Sequence, residues 1–298
     1  MTHHRHRIPV APSLATALAE IELGMDGHTW AAAHVDAART CLRTAGVALV
    51  HSLADRLAAD GWAIAALPAE LPDESLRRAA AGVLAGVGAP FFSIDGGRGL
   101  WLDGLSGPER IPTSFGGFAA QVLHIDAPNV TAPPDYTSLL MLRPDPAGGG
   151  HSVLADLRAA ALLLTDADRD VLSHPLFFEG RAEQLHGVGE PLLPFPVLED
   201  GPPGCTWIRW AGKLLTDPRN ATHLPVLDRF AALLHGTERR VLLRRGNLLV
   251  VDQRRAAHGR TALGPQDGVS ASARRLLCQA KARFDTDAPA HQVMRSAA

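Results

Sequence analysis

The spacing of hydrophobic residues changes near residue 89 of the chain. Before that point, apolar positions recur at the spacing of an amphipathic helix, as in the run TWAAAHVDAARTCLRTAG. The segment 73–88, DESLRRAAAGVLAGVG, begins with acidic residues and ends at glycine, which is typical of a helix. Residues 13–88 are therefore predicted to be mainly helical, with short strand-like pieces between the helices.

After residue 89, short apolar runs alternate with glycine and proline. The runs are PFFSI, GLWL, QVLHID, SLLMLR, HSVLADL, CTWIRW, RRVLLRR, NLLVV and RRLLCQA. Several short strands between turn residues predict a β-sandwich or barrel, and two helical segments interrupt them near residues 154–173 and 224–236. We expect a mixed α and β protein, with a flexible tail at 1–12 and a single domain over 13–298, whose β core covers about 89–285.

The composition is that of a folded protein with a hydrophobic core. The chain has 298 residues, of which 46% are hydrophobic, and this is enough apolar material for one large domain. The formal net charge of −2 offers no electrostatic reason to bind nucleic acid or an acidic membrane. No apolar run approaches the roughly 18 residues of a membrane-spanning helix. A small molecule is the expected partner, and the oligomeric state stays open.

The cysteines and the first residues of the chain bear on its location. Cys41, Cys205 and Cys278 lie far apart and form no CxxC pair, so neither a disulfide framework nor a zinc–thiolate site is expected. The first residues, MTHHRHRIPVAPS, carry positive charge, but no apolar stretch follows as in a signal peptide. These features predict a location in the reducing cytoplasm.

Two His-x-Asp motifs are candidates for metal binding. His34 and Asp36 lie in an alanine-rich helical segment, where positions i and i+2 point about 200° apart and cannot chelate one ion. His124 and Asp126 close the strand-like run QVLHID. On a strand, positions i and i+2 lie on the same face, about 7 Å apart at Cα, so an imidazole and a carboxylate can converge on one metal. A buried histidine that is hydrogen-bonded to a neighbour is the structural alternative for His124.

His258 is the candidate for a third metal ligand. The run RRGNLLVVDQRRAAHGRTAL contains an apolar strand, Leu248 to Val251, and then a polar turn that carries His258. Two imidazole nitrogens and one carboxylate oxygen form the facial triad that leaves positions open on Fe(II) for a bidentate cosubstrate and O2. A barrel can bring such distant strands together, although the spacing by itself does not require it.

Three sequence blocks carry a resemblance to a known family. LHIDAP, PPDYTSLLMLRPDPAGGGHSVLADL and GNLLVVDQRRAAHGRTAL resemble the clavaminate synthase-like and taurine dioxygenase-like iron/2-oxoglutarate oxygenases. The resemblance covers roughly residues 90–285. It is strongest to the subgroup that hydroxylates free amino acids, such as arginine and asparagine, and clavam precursors.

The resemblance implies both a fold and roles for individual residues. The implied core is a double-stranded β-helix, or jelly-roll, with flanking helices, in which His124, Asp126 and His258 hold Fe(II). Ser152 matches a position that hydrogen-bonds a carboxylate of 2-oxoglutarate. Two residues near the distal histidine are implied to fix the loop that carries it, namely Asp252 and Arg255.

The last predicted strand, ARRLLCQAKARF, departs from the family pattern R-x-x-x-R, whose second arginine holds the far carboxylate of 2-oxoglutarate. Arg275 matches the first arginine, and Gln279 stands in place of the second. Three alternatives follow. Arg275, or Arg274 after a bulge, binds the carboxylate; Gln279 hydrogen-bonds a weakly held 2-oxoglutarate; or the substrate itself supplies the electrons for O2. The triad, Ser152 and most of the surrounding pattern are intact, which favours retained 2-oxoglutarate, with Arg275 as its main cationic contact.

The substrate and the reaction are less defined by the sequence. In TWIRWAGKLLTDP, Arg209 matches an arginine of the relatives that hydroxylate arginine, but Trp210 follows where these have acidic residues, which disfavours a guanidino substrate. The loop 105–117 is either a lid or an ordinary connection. The leading hypothesis is an Fe(II) oxygenase of a small amino-acid-like molecule, acting by hydroxylation, desaturation or cyclisation in specialised metabolism. A zinc-type hydrolase and a non-catalytic ligand-binding relative are the alternatives.

Overall fold

A computed structural model describes residues 6–22, 24–26, 29–91, 100–179, 193–199 and 207–296. These residues form a mixed α and β structure. The helices are α1 (Pro12–Ala19), α2 (Ala32–Ala45), α3 (Val47–Asp60), α4 (Asp73–Ala85), α5 (Leu157–Leu162), α6 (Asp166–Ser173), α7 (Leu224–His235) and α8 (Pro289–Ser296), with two 3-10 helices at Gly212–Thr216 and Pro218–His223.

The strands are shorter than most of the helices and are spread along the whole described part of the chain. They are β1 (Arg7–Pro9), β2 (Met25–Asp26), β3 (Thr29–Trp30), β4 (Trp62–Ala66), β5 (Ala89–Phe91), β6 (Leu102–Leu105), β7 (Gln121–His124), β8 (Tyr136–Arg143), β9 (Ser152–Asp156), β10 (Leu198–Glu199), β11 (Trp207–Ile208), β12 (Arg239–Val241), β13 (Asn247–Asp252), β14 (Ala256–Arg260) and β15 (Leu276–Arg283).

Two sheets make up most of the β structure in the described ranges. The larger has nine strands in the order β1-β4-β13-β8-β15-β5-β3-β2, with β6 added beside β15, and the smaller has four in the order β12-β9-β14-β7. The three long central strands β8, β13 and β15 are buried along almost their whole length. Such strands read as continuous apolar runs because both of their faces are covered.

Each face of the large sheet packs against a different partner. One face shares a hydrophobic cluster with the small sheet, in which Leu139 and Leu249 of the large sheet meet Leu154 of β9. The other face shares a cluster with the N-terminal helices, in which Leu140 meets Leu42 among others. Because side chains alternate along each strand, neighbouring residues of β8 serve the two clusters. Two of the candidate metal ligands, His124 and His258, lie on strands β7 and β14 of the small sheet.

The N-terminal part of the chain differs from the prediction in two respects. Arg7–Pro9 is not a tail but the strand β1, which pairs in parallel with β4; residues 1–5 lie outside the described ranges. Strand β4 itself belongs to the large sheet, where it pairs with β13, so the β core does not begin at residue 89. β1 was missed because a three-residue run carries too little periodicity to mark a strand. β4 is one of the short strand-like pieces expected between the helices, but its place in the large sheet was not predicted.

The remaining element predictions agree well with the structure. Every apolar run identified after residue 89 contributes to a strand, and helices lie at both interrupting segments. His258 is the exception, because it lies in strand β14 rather than in a turn. Cys41 and Cys278 are free, while Cys205 lies outside the described residues. Within the described ranges, no helix is both long and apolar enough to cross a membrane.

Candidate active site

Strand pairing brings the three candidate metal ligands together. In the pairing of β7 with β14, His124 lies directly opposite His258, and their rings lie with centroids 4.4 Å apart. Asp126 follows two residues after His124, and its Oδ1 lies 3.7 Å from Nε2 of each histidine. One ligand atom from each residue lies within 4.8 Å of the others. The sequence spacing of 132 residues between Asp126 and His258 is thus closed by one antiparallel strand pair.

The protonation of the triad suits a metal cation. Burial and the charge of His124 lower the pKa of His258 to about 3, so its imidazole is neutral at physiological pH. Burial by itself would raise the pKa of Asp126, but the positive charges of Lys281, His258 and His124 bring it down to about 2. Nδ1 of His124 lies 2.8 Å from the carbonyl oxygen of Val122, which leaves Nε2 free for a metal. His258 therefore offers a neutral nitrogen, Asp126 offers a carboxylate, and His124 offers its Nε2.

Two glutamines hold Asp126 in place. Gln279 Nε2 donates to Oδ2 of Asp126 over 3.0 Å and to Oγ1 of Thr137 over 3.1 Å. The backbone N–H of Asp126 donates to Oε1 of Gln253 over 2.6 Å, and Gln253 Nε2 donates to the carbonyl of Pro134. Gln253 is fully buried. Its part was missed by the sequence reasoning, although it lies between the apolar strand and His258 in the motif DQRRAAH.

The backbone that follows Asp126 is strained and firmly anchored. Ala127 has a φ of 51°, in the left-handed region that residues with a Cβ seldom adopt. The next carbonyls, including those of Pro128 and Val130, accept hydrogen bonds from the buried guanidinium of Arg209. Arg209 is also paired with Glu199. Arg209 therefore fixes the loop after the carboxylate rather than contacting a substrate.

The six residues predicted to bind the metal or the cosubstrate all line one cavity. Its volume is about 450 Å³, part of it open to solvent. Its lining includes the three residues of the triad together with Ser152, Arg275 and Gln279. Phe115, from the loop predicted to be a lid or a connection, also lines it, so this loop forms part of the cavity wall.

Of the two adjacent arginines that the sequence offered, Arg275 lines the cavity and Arg274 does not. The side chain of Arg275 is 1% exposed. Its Nε and Nη1 have no hydrogen-bond partner in the described part of the chain. Burial and the neighbouring charge of Arg260 lower the pKa of Arg275 to about 9. A buried guanidinium in this state is strongly favoured to bind an anion.

Gln279 lies on the expected face, but its amide has partners that the sequence did not indicate. It lies on the cavity face of β15, as period 2 predicts, but both hydrogens of its amide are used by Asp126 and Thr137. One amide hydrogen is thus used by the carboxylate of Asp126 and the other by the hydroxyl of Thr137. Its binding of 2-oxoglutarate, which the sequence offered as one alternative, stays a prediction.

Arg255, Asp252 and Trp210 contact other parts of the fold rather than the cavity. Arg255 donates to carbonyls at the end of α3, among them that of Leu57. Asp252 accepts from the backbone N–H of Arg254, so the two residues do fix the turn before β14. Trp210 is buried against Phe230, as the interpretation of this tryptophan as core predicts.

Three charged residues near the triad were missed. Arg260 lines the cavity. Lys281 is 9% exposed, and its charge acts on both Asp126 and His258. Glu179 is 9% exposed; burial raises its pKa, while Lys213 and His124 oppose that rise. For two of them, strand alternation could have indicated the position. Arg260 shares a strand face with His258, and Lys281 shares one with Arg275 and Gln279.

Comparisons with known proteins place the chain in a family. The profile of the family described as "Taurine catabolism dioxygenase TauD, TfdA family" matches residues 9–179, more than half of the sequence. The chain belongs to this family. The matched region contains His124 and Asp126 and ends before His258. As a TauD/TfdA-type protein it is a non-haem iron dioxygenase-type oxidoreductase that uses Fe(II), 2-oxoglutarate and O2.

Solved structures support the same assignment. Asparagine oxygenase in complex with Fe(II), 2S,3S-3-hydroxyasparagine and succinate is 26% identical, with a TM-score of 0.73 and coverage of 94% of each chain. The non-heme iron oxygenase OrfP in complex with Fe and alpha-ketoglutaric acid is 18% identical, with a TM-score of 0.71 and the same coverage. At that identity OrfP supports the fold alone. No curated protein matches the sequence.

Proposed function

We propose that this TauD/TfdA-type protein is a mononuclear Fe(II), 2-oxoglutarate-dependent oxygenase that oxidises a small amino-acid-like molecule in specialised metabolism. One observation carries the proposal: the triad His124, Asp126 and His258 lines the same cavity as the buried guanidinium of Arg275, whose Nε and Nη1 have no hydrogen-bond partner among the described residues. Such a cavity suits a chelating cosubstrate with a charged far end. The reaction is a hydroxylation, a desaturation or a cyclisation.

The donor set of the triad fits Fe(II). Metal–ligand distances of about 2.1 Å place two ligands of one ion at most about 4.2 Å apart, and the distances of 3.7 Å from Asp126 to each histidine fall within this limit. His124, Asp126 and His258 would hold the ion, and bound Fe(II) would supply O2 activation and the coordination sites for the cosubstrate. Gln279 and Gln253 would keep the carboxylate in its orientation.

Ser152 and Arg275 supply the groups that a 2-oxo dicarboxylate needs. Ser152 lies at the start of β9, is 3% exposed and lines the cavity. Arg275 offers unpaired N–H groups for the far carboxylate. In a hydroxylation, 2-oxoglutarate and a C–H bond of the substrate each contribute two electrons to O2. One oxygen atom goes into succinate, formed with loss of CO2, and the other goes into the product.

Two buried side chains of opposite charge support an amino acid as the substrate. Lys281 lies near Asp126 and His258, and Glu179 lies near His124. The carboxylate of an amino acid would be attracted to Lys281 and its ammonium group to Glu179. The similarity to asparagine oxygenase favours the same class of substrate.

The position of Arg209 supports a substrate other than a guanidino compound. Its guanidinium is used by the loop after Asp126, and Trp210, which follows it, is buried in the core. Trp210, Ala211 and Gly212 follow Arg209 directly, so no acidic side chain stands at these three positions.

The finer fold and the location of the protein are part of the same proposal. We infer that the two packed sheets are the halves of a double-stranded β-helix, a reading supported by the family and by the shared cluster between the sheets. The sparse, scattered cysteines support a cytoplasmic enzyme.

An anaerobic titration of the Fe(II) protein with 2-oxoglutarate tests the function. We expect a metal-to-ligand charge-transfer band that saturates, followed by O2 uptake and succinate formation when a panel of amino acids is added. O2 uptake that ignores 2-oxoglutarate and forms no succinate would instead indicate an oxygenase that draws electrons from its substrate. Hydrolysis with Zn2+, or ligand binding without O2 uptake, would point to the two remaining alternatives.

A further inference from the structure

A second buried guanidinium lies beside Arg275. Arg260 is 4% exposed, lines the cavity and lies two residues after His258 on β14. Its Nη2 donates to the carbonyls of Gly117 and Ala119 over 2.7 Å and 2.5 Å. Its Nε and Nη1 are buried and have no hydrogen-bond partner in the described ranges. Among the described residues, only Nη2 of its three nitrogens therefore has a hydrogen-bond partner.

The two guanidinium groups repel each other. Both are buried and line the same cavity, so little water screens one charge from the other. Asp145 is an acid whose charge acts on both arginines, but its carboxylate accepts from the backbone N–H groups of Gly149 and Gly264. Two buried cations without a bonded anion are costly, so the cavity is built to receive negative charge.

The neighbouring strand places both arginines at one end of the cavity. In the β9–β14 pairing, Arg260 is the cross-strand partner of Ser152. A Cβ at Gly150, two residues before Ser152, would lie 3.4 Å from Nε of Arg275. Ser152, Arg260 and Arg275 are therefore neighbours in the lining of one cavity.

We propose that Arg260 is a second cation of the cosubstrate site and binds, together with Arg275, the carboxylate that lies far from the iron. The inference rests on the proposed function. It assigns Arg260 two tasks on different nitrogens. Nε and Nη1 face the carboxylate, and Nη2 fastens the 117–119 segment to the cavity. Selectivity for a dianionic 2-oxo acid then depends on both arginines.

A purely structural role for Arg260 makes a different prediction, so the test compares two ligands. 2-Oxopentanoate has the chelating end of 2-oxoglutarate but a methyl group in place of the far carboxylate. Binding of both to the Fe(II) protein is measured without O2 by the charge-transfer band and by calorimetry. In Arg260→Met, we expect 2-oxoglutarate to bind about 10- to 100-fold more weakly, with 2-oxopentanoate unchanged.

Two further variants make the result decisive. Arg260→Gln keeps an amide that can donate to the 117–119 carbonyls but removes the charge, and it should show the same selective loss. Arg39→Met removes another buried arginine that donates to two backbone carbonyls, those of Ala85 and Gly88, and should leave both affinities unchanged.

Each other outcome overturns a specific statement. Equal weakening of both ligands in the Arg260 variants means that the residue only positions the segment, and no change means that it touches neither ligand. If the unsubstituted Fe(II) protein binds 2-oxopentanoate and 2-oxoglutarate equally well, neither arginine recognises the far carboxylate. If it binds neither compound, the proposed function fails and the inference fails with it.

Discussion

The side-chain amide of Gln279 donates a hydrogen bond to Oδ2 of Asp126. The two residues lie 153 positions apart in the chain, and the bond fixes the carboxylate while Oδ1 faces both histidines. A position that the family pattern assigns to a cosubstrate contact thus supports the metal ligand. Partners of this kind orient a ligand and tune its affinity for the metal.

Removing the amide should weaken iron binding. In Gln279→Leu the side chain keeps a similar volume, but Asp126 loses a hydrogen-bond donor. The affinity for Fe(II) should therefore fall on the order of 10-fold. Competition with a chromophoric chelator measures it. Gln266→Leu is the matched control, because Gln266 donates to Asp145 instead, and its iron affinity should not change. An unaltered affinity in Gln279→Leu would show that the bond has no role in metal binding.

The triad itself is tested by comparing two histidines that both precede an acid by two residues. His124→Ala should abolish iron retention and turnover. His34→Ala should retain both, because His34 lies on helix α2 and accepts from the backbone N–H of Gly24. Iron content after gel filtration and turnover check this. Equal iron occupancy in His124→Ala and the unsubstituted protein would refute the assignment.

Arg275 and Arg274 are adjacent in sequence but differ in placement. Arg275→Met should weaken 2-oxoglutarate on the order of 100-fold, since a buried, charge-assisted contact is lost. Arg274→Met should leave the affinity unchanged, because Arg274 does not line the cavity. The anaerobic charge-transfer titration measures both. The reverse pattern would mean that β15 is shifted by one residue at this point.

Lys281 should recognise a negative charge on the substrate. In Lys281→Met, the KM for the amino acid substrate should rise about 10-fold or more, while 2-oxoglutarate binding stays the same. The methyl ester of that substrate lacks the carboxylate charge and should be affected little. Steady-state O2 uptake with acid and ester gives both values. A similar rise for the two compounds would indicate a general distortion of the site.

The metal-free protein should lose stability on acidification through His258. Its folded-state pKa of about 3 lies below the ordinary value of 6.5, so the unfolded chain takes up a proton that the folded chain does not. The stabilisation is complete above pH 6.5 and is lost progressively as the pH falls towards 3. Urea unfolding at several pH values should show a weaker acid dependence in His258→Ala than in the unsubstituted protein. Parallel pH profiles would contradict this.

Much of the site could be predicted from the sequence, because the alternation of side chains along a strand is a local property. Alternation along QVLHID placed His124 and Asp126 on one face, and alternation along the last strand placed Arg275 and Gln279 on one face. Both pairs line the cavity. These predictions used the geometry of a single strand. In the structure β7 ends at His124 and β15 begins at Leu276, so Asp126 and Arg275 lie just outside these two strands.

The partners across strands were decided by the tertiary structure. Pairing of β7 with β14 places His258 opposite His124, and register between distant strands depends on the turns and faces of the whole sheet. The same dependence hid the bond from Gln279 to Asp126 and the convergence of Arg260 with Arg275. The sequence by itself determined which faces carry the chemistry; only the packed sheets decided which of those side chains meet, because contacts between distant segments exist only once both sheets have formed.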